Sequence, residues 1–202
     1  MIYFTSDTHF YHNAIIDHCN RPIPGWMNRD ERVEEMHRQM IDAWNSKVTP
    51  QDEVYHLGDL SFAGTIRTCD VLDKLHGIKY LVRGNHDSVK PEVAKYFQWV
   101  KDYYMLKVHD VYQVEGTENE FQQYHQPIVL CHYPILSWDG MVHGSWHLHG
   151  HCHGTLADTG VMRKDVGVDT NNMAPYSYDD IKHIMVMRSI VPVDHHRPRS
   201  VN

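Results

Sequence analysis

Hydrophobic and polar positions follow two different periods along the first half of the chain. Short apolar runs at residues 1–6, 52–57 and 78–82 predict buried β-strands. Between them, residues 28–45 and 65–77 place apolar side chains three and four positions apart, which predicts amphipathic helices. Strands that alternate with helices in this way are typical of an α/β sheet.

The second half of the chain is richer in strands. A short helix is predicted at 91–97, and a last helix runs from Ser177 through about Arg188. The strands predicted between these helices lie at residues 103–108, 111–116, 127–132, 145–150 and 163–169. We therefore expect an α/β fold, a four-layer α/β/β/α sandwich of mixed sheets, in one domain at 1–193 followed by a polar C-terminal tail at 194–202.

Composition and charge limit the classes of partner. The chain has 202 residues and a net charge of -7, from 26 acidic and 19 basic residues. It has no dense Lys/Arg block, so we expect no strong binding to duplex nucleic acid. The four cysteines form no Cys-x-x-Cys pair, and there is neither a signal peptide nor an apolar run of about eighteen residues. These features predict a soluble cytoplasmic protein without a membrane partner.

Polar residues follow almost every predicted strand. They are Asp7 and His9, Asp59, residues 84–87, His132 and residues 150–153. The carboxyl ends of strands in α/β sheets gather at one edge, which is where ligands bind. Residues far apart in sequence are therefore expected to meet in one cleft.

Carboxylates, an amide and several imidazoles in one cleft are suited to divalent metal ions. Two ions roughly 3.5–4 Å apart need one shared anionic ligand, and Asp59 is the natural candidate. Mixed oxygen and nitrogen ligands without thiolate favour Mn, Fe, Zn or Ni over an all-oxygen Mg or Ca site. The pattern predicts a metal centre at the strand C-terminal edge and leaves the choice among these metals open.

Five sequence blocks carry a resemblance to a known family. "SDTH", "HLGD", "GNHD", "LCHYP" and "GHCHG" occur in this order between residues 6 and 154. The set resembles the calcineurin-like metallophosphoesterases, and the opening "FTSDTHFYHNAII" with "VYHLGD" is similar to a small single-domain bacterial and phage branch. A single histidine such as His9 or His132 is more often structural than a ligand, but the ordered set reverses that expectation.

The resemblance implies a binuclear site and a role for each matched residue. One metal ion would be held by Asp7, His9, Asp59 and His153, and a second by Asp59, Asn85, His132 and His151. His86 is implied to be catalytic, as the general acid toward the leaving oxygen, and Asp87 to accept backbone hydrogen bonds in the turn. The cofactors expected are two divalent metal ions, Mn²⁺ first, with Fe, Zn or Ni as alternatives.

The predicted function is hydrolysis of a phosphodiester or phosphomonoester by in-line attack of a metal-activated water. Its partner would be a small phosphoester or nucleotide, which Asn20 and Arg21 could contact unless they form only a Pro-stiffened surface turn. Two alternatives stay open: a catalytically inactive metal-binding scaffold for protein interaction, and a nuclease acting on short or single-stranded nucleic acid. Four histidines near the blocks are predicted either to pack behind the ligands or to contact the substrate: His12, His56, His147 and His149.

Overall fold

The computed structural model describes residues 1–113, 121–191 and 193. Its strands, in chain order, are β1 (Ile2–Thr5), β2 (Glu53–His56), β3 (Ile78–Val82), β4 (Phe97–Lys101), β5 (Tyr103–Gln113), β6 (Phe121–Cys131), β7 (Trp146–His149), β8 (Arg163–Asp165) and β9 (Tyr176–Ser177). Its α-helices are α1 (Asn13–His18), α2 (Arg29–Lys47), α3 (Thr65–Leu72), α4 (Pro91–Ala94) and α5 (Tyr178–Met185). The tail predicted at 194–202 lies outside the described residues.

The described strands form two mixed sheets. The first has the order β4-β3-β2-β1-β9, in which β1 to β4 are parallel and β9 is antiparallel to β1. The second has the order β5-β6-β7-β8, in which β5 and β6 are antiparallel and β6, β7 and β8 are parallel. This arrangement confirms the predicted α/β sandwich of mixed sheets.

The two sheets pack face to face through a shared apolar cluster. Phe4 and Tyr55 from the first sheet contact this cluster together with Ile128 and Leu148 from the second. Ile181 of α5 is fully buried in the same cluster. Burial of these side chains from both sheets is the main force that holds the sheets together.

The other face of the first sheet is covered by helices. Met36, Met40 and Trp44 of α2 are buried there with residues of α3 and α4, as the helical spacing predicts. The start of α2 is fixed by a capping box, in which the Asn28 side chain accepts a hydrogen bond from the Glu31 N–H and the Glu31 carboxylate accepts one from the Asn28 N–H.

The outer face of the second sheet is covered differently. Trp138 and Met141 pack on Val129 there, in the connection between β6 and β7, which contains a short 3₁₀ turn at Met141–His143. Trp138 is buried, and its Nε1 donates a hydrogen bond to the Ser145 carbonyl at 3.0 Å. An irregular segment therefore forms the layer on this side. Trp138 belongs to the core.

Several predicted boundaries are wrong. The helix predicted at 91–97 ends at Ala94, and strand β4 begins at Phe97 after two turn residues. Strand β6 begins at Phe121, six residues before the predicted start, because its first part is polar and lacks the apolar run that marks a strand in the sequence. The strands predicted at 103–108 and 111–116 belong to one strand as far as Gln113, and residues 114–116 lie outside the described residues. Within the described part of the chain, no helix has the length and apolar character needed to cross a bilayer.

Candidate metal centre

The predicted metal ligands follow the carboxyl ends of strands from both sheets. Asp7 and His9 follow β1, Asp59 follows β2, Asn85 follows β3, His132 follows β6, and His151 and His153 follow β7. Backbone hydrogen bonds join the loops that carry them: the Asp7 N–H donates to the Gly58 carbonyl, and the His9 N–H donates to the Asp59 carbonyl. The two loops after β1 and β2 therefore run side by side and bring their polar side chains together.

The first group of predicted ligands is compact. His9 Nε2 lies 3.8 Å from Asp7 Oδ1 and 3.6 Å from Asp59 Oδ2. His153 Nε2 lies 3.9 Å from Asp7 Oδ1. Asp7, His9 and Asp59 are buried, whereas His153 is half-buried. These atoms are close enough for a single ion to be reached by several of them.

The second group meets around Asn85. His132 Nε2 lies 3.0 Å and His151 Nδ1 lies 2.9 Å from Asn85 Oδ1. His132 Nε2 is also 3.5 Å from Asp59 Oδ2, so Asp59 adjoins both groups. The structure thus brings all seven predicted ligands into one cluster, with Asp59 at its centre.

The hydrogen bonding of His132 fits a cation in this cluster. Its Nδ1 lies 2.7 Å from the Leu57 carbonyl oxygen, which can only accept, so the ring proton is on Nδ1. Nε2, the nitrogen that is free to coordinate a metal, then faces the Asn85 and Asp59 oxygens, which are also acceptors. A metal ion among three acceptor atoms removes this conflict, because each becomes a ligand.

Two buried polar atoms point to the same conclusion. Asp7 Oδ1 and His9 Nε2 have no hydrogen-bond partner among the described residues. A buried polar atom without a partner costs stability, and a cation bound by both atoms would remove that cost. The donor set of carboxylate, imidazole and amide is one that can hold a metal ion.

Burial also shapes the charges of the cluster. Burial raises the pKa of Asp7 to about 6, although nearby histidines oppose this shift. Burial, together with His153, lowers the pKa of His9 to about 3. Both shifts disfavour the charged form of the side chain. A bound dication would stabilise the ionised carboxylate and the neutral imidazole, which are the forms that coordinate metals.

The backbone at the cluster is strained. The residues with left-handed backbone include five of the seven predicted ligands, namely Asp7, His9, Asp59, His151 and His153, with φ between 47° and 69°. Residues other than glycine rarely adopt this conformation, and such residues concentrate at functional sites. The strain turns successive side chains of each loop toward one point.

Two glycines allow the loops to approach each other. A Cβ on Gly84 would lie 2.2 Å from Asp59 Oδ1, and a Cβ on Gly150 would lie 2.2 Å from Asp7 Oδ2. Both distances are far below van der Waals contact, so any larger residue would displace a predicted ligand.

Asp87 fixes the loops after β2 and β3 to each other. Its carboxylate accepts hydrogen bonds from the N–H groups of Asp59 at 2.9 Å, Leu60 at 2.9 Å and Gly84 at 2.8 Å. The prediction that Asp87 accepts backbone hydrogen bonds is confirmed. Its neighbour His86 is exposed, and the His86 N–H donates to Asp59 Oδ1 at 2.9 Å.

Arg21 has a different role from the predicted contact with substrate. It is only 5% exposed, and its guanidinium donates to the Asp169 carboxylate and to the carbonyls of Asp7 and Thr8. These bonds keep the guanidinium inside the protein, where it supports the loop after β1. Asn20 is exposed at φ +50°, and no contact of its side chain with the cluster occurs among the described residues.

Asp169 is a functional residue that sequence reasoning missed. Its carboxylate accepts from His153 Nδ1 at 2.7 Å, which leaves His153 Nε2 facing Asp7. Burial opposes protonation of His153, but the hydrogen bond to Asp169 and the charge of Asp7 raise the pKa of His153 to about 10. The signal that was available is its position, since Asp169 follows β8 as the other site residues follow their strands.

The histidines near the cluster divide into two kinds. His56 and His147 are buried, and backbone N–H groups donate to their rings, so both are structural. His12 is half-buried, and its Nδ1 lies 3.4 Å from His9 Nδ1, where it orients a predicted ligand.

Comparison with known proteins gives a family without a named function. No family model matches the chain. The chain is 32% identical over 198 residues to the uncharacterized protein MJ1445 of Methanocaldococcus jannaschii, with 94% of each chain covered. It belongs to the same family as that protein. It is also 26% identical over 174 residues to the Gene 66 protein of Mycobacterium phage D29, covering 77% of this chain and 79% of the phage protein.

One solved structure shares the fold. The protein of unknown function AQ665 from Aquifex aeolicus superimposes with a TM-score of 0.61 at 24% sequence identity, covering 91% of this chain and 98% of that chain. At this identity the likeness concerns the fold alone.

Proposed function

We propose that this protein is a metal-dependent phosphoric ester hydrolase of the calcineurin-like metallophosphoesterase type. One observation carries the proposal: seven side chains from the ends of five strands converge around buried acceptor atoms that lack a hydrogen-bond donor. Their order along the chain matches the five blocks that resemble this family. The relative in Mycobacterium phage D29 agrees with the phage branch that the opening residues resemble.

The chain offers ligands for two divalent ions. One ion would be held by Asp7, His9, Asp59 and His153. The other would be held by Asp59, Asn85, His132 and His151. Mn²⁺ is the first ion to test, with Fe, Zn and Ni as alternatives. When bound, two such ions lower the pKa of water toward neutrality and neutralise charge on phosphoryl oxygens.

The residues around the ligands orient them. The Leu57 carbonyl fixes the ring of His132, and the Asp169 carboxylate fixes the ring of His153. Each contact selects the nitrogen that faces the cluster and makes the imidazole a better ligand. Arg21 in turn holds Asp169 in place through its guanidinium.

His86 is the candidate general acid. It is exposed at the edge of the cluster, and its ring centroid lies 5.8 Å from that of His9. Its side chain is therefore accessible to a substrate whose phosphoryl group lies over the cluster. In that position His86 can donate a proton to the departing oxygen. The substrate class that we propose is a small phosphodiester, phosphomonoester or nucleotide.

The proposal is tested by hydrolysis of bis(p-nitrophenyl) phosphate and p-nitrophenyl phosphate. Activity is measured after chelation and again after Mn²⁺ is added back, with bound metal quantified in the same samples. We expect Mn²⁺ to restore cleavage of at least one ester. Asp59→Asn should lose both metal and activity, while Asp102→Asn, which changes an exposed carboxylate paired with Arg83, should keep both.

Two outcomes separate the alternatives. Cleavage of the diester alone would direct the substrate search to short nucleotides, including single-stranded nucleic acid. If two ions bind and neither ester is cleaved, the hydrolase proposal fails and a metal-binding scaffold becomes the better explanation.

A further inference from the structure

A cavity of about 270 Å³ borders the candidate site at His86 and Asp87. Its remaining walls come from the loop after β2, from α3 and from the segment around α4, and they include Phe62, Val89 and Val93. Because His86 belongs to both the site and the cavity, a group attached to an oxygen beside His86 has direct access to this space.

The walls of the cavity are apolar or carry hydroxyl groups. The apolar part consists of Leu60, Phe62, Val89 and Val93. The hydroxyl groups belong to Ser61, Thr65, Thr68 and Ser88. Among the described residues that line the cavity there is no lysine or arginine. This mixture suits an organic group that is uncharged and partly apolar.

The acidic residue of the cavity is Asp87. Its carboxylate already accepts three backbone hydrogen bonds, from Asp59, Leu60 and Gly84. An anionic group entering the cavity would meet this negative charge with no lysine or arginine among the described lining residues to balance it. Like charges brought close together are unfavourable, so this lining disfavours an anionic group.

Phe62 is a preorganised wall. Its ring stacks on His12 with centroids 4.0 Å apart and lies 4.7 Å from the ring of His86. The side chain is still 42% exposed. Part of an aromatic surface is therefore held in place beside His86 and stays accessible to a bound molecule.

We propose that this cavity is the leaving-group subsite and that it selects esters of uncharged alcohols over phosphoanhydrides. The inference rests on the proposed function, because it takes His86 as the acid for the departing oxygen. In the reaction the P–O bond to the alcohol breaks, a water oxygen bonds to phosphorus and releases a proton to solvent, and the alcohol oxygen gains a proton from His86. The His86 proton is replaced from solvent, and the neutral alcohol leaves through the cavity.

The test compares an ester with an anhydride that share one nucleoside. AMP releases neutral adenosine, whereas ADP cleaved at its terminal phosphate releases anionic AMP. If wild type cleaves only diesters, the methyl esters of AMP and ADP take their place. We expect kcat/KM of the Mn²⁺-loaded wild type to be at least about tenfold higher for the ester, since no lysine or arginine among the described lining residues is there to bind the anionic product.

A charge placed in the cavity should reverse this preference. Val89 is half-buried in the cavity wall. Val89→Lys should raise kcat/KM for the anhydride relative to the ester by about tenfold, because the new cation offsets the anionic leaving group. Val89→Met, of similar length without charge, should change the ratio less than about twofold. Ser88→Lys and Ser88→Met repeat the comparison at an exposed position of the same cavity.

The outcomes distinguish the subsite from the function. If wild type cleaves the anhydride as fast as the ester, the subsite proposal is overturned. It is also overturned if folded lysine variants at both positions keep the ratio of their methionine controls. If the Mn²⁺-loaded wild type cleaves no phosphoester at all, the proposed function itself fails.

Discussion

Helix α2 and the strand-end site differ in backbone geometry and in the kind of side chain that they bury. In α2, the end of the helix is closed by the Asn28 and Glu31 capping box, and Met36 and Trp44 are buried at helical spacing. In the site, Asp7 Oδ1 and His9 Nε2 are buried without a hydrogen-bond partner among the described residues, and five of the predicted ligands have left-handed backbone.

The comparison separates residues that stabilise the fold from residues that the fold must hold in place. Each strained backbone conformation costs roughly 1–3 kcal/mol, and each unpartnered buried polar atom adds to that cost. The helical layer and the packed sheets supply the stability that keeps such a site formed. Mutations in the two regions should therefore have opposite signatures: loss of activity in one and loss of stability in the other.

The largest effect is expected from His86. His86→Asn should lower turnover by about 10²–10⁴-fold, because it removes the proton donor for the leaving oxygen. Bound metal and the melting temperature should stay near those of wild type, since His86 is exposed and is not among the predicted ligands. His143→Asn, at another exposed histidine, is the matched control. Retained turnover in the His86 variant would contradict the assigned role.

The opposite signature is expected from Trp44. This residue is 3% exposed, and its Nε1 donates to the His76 carbonyl at 3.0 Å. Trp44→Ala should lower the free energy of unfolding by about 3–5 kcal/mol, measured by urea denaturation, while metal per folded protein stays unchanged. Trp26→Ala removes the same side chain at a position that is 82% exposed, and it should cost less than about 0.5 kcal/mol. Equal losses in the two variants would refute the proposed division.

The sequence was informative where one local pattern carries the answer. Each predicted ligand follows an apolar strand, and the carboxyl ends of such strands must share an edge, so the order of strands and polar residues is enough to predict that Asp7 and His153 converge. The spacing of apolar residues predicted α2 equally well. In both cases the signal lies within a few neighbouring residues.

The sequence was misleading where the partner of a residue is distant. Arg21 was expected either to contact a phosphate or to lie in a surface turn, but its partner Asp169 lies 148 residues away and draws it into the interior. Strand β4 was missed because a five-residue strand follows a helix without a turn signal. The Phe62 wall likewise depends on stacking against His12, which no local pattern encodes.

The smallest of these effects is expected where the two regions meet. His37 of α2 is 8% exposed, and its Nε2 accepts a hydrogen bond from the Tyr11 N–H at 2.8 Å, in the loop that carries His9. Burial, with the charge of Lys74 second, lowers the pKa of His37 to about 4. In the unfolded chain this residue has its ordinary pKa near 6.5. Because the folded state disfavours the proton, the contribution of neutral His37 to the free energy of unfolding is present above that pH and is lost as pH falls toward 4.

His37→Gln isolates this contribution, because a glutamine amide oxygen can still accept from Tyr11 but does not titrate. Between pH 7.5 and pH 5, wild type should lose about 2 kcal/mol more unfolding free energy than His37→Gln, measured by urea denaturation of metal-free protein. Above pH 7.5 the difference between the two proteins should stay constant. Equal losses would mean that His37 takes up a proton without leaving its partner, and that the contact between α2 and the site loop survives protonation.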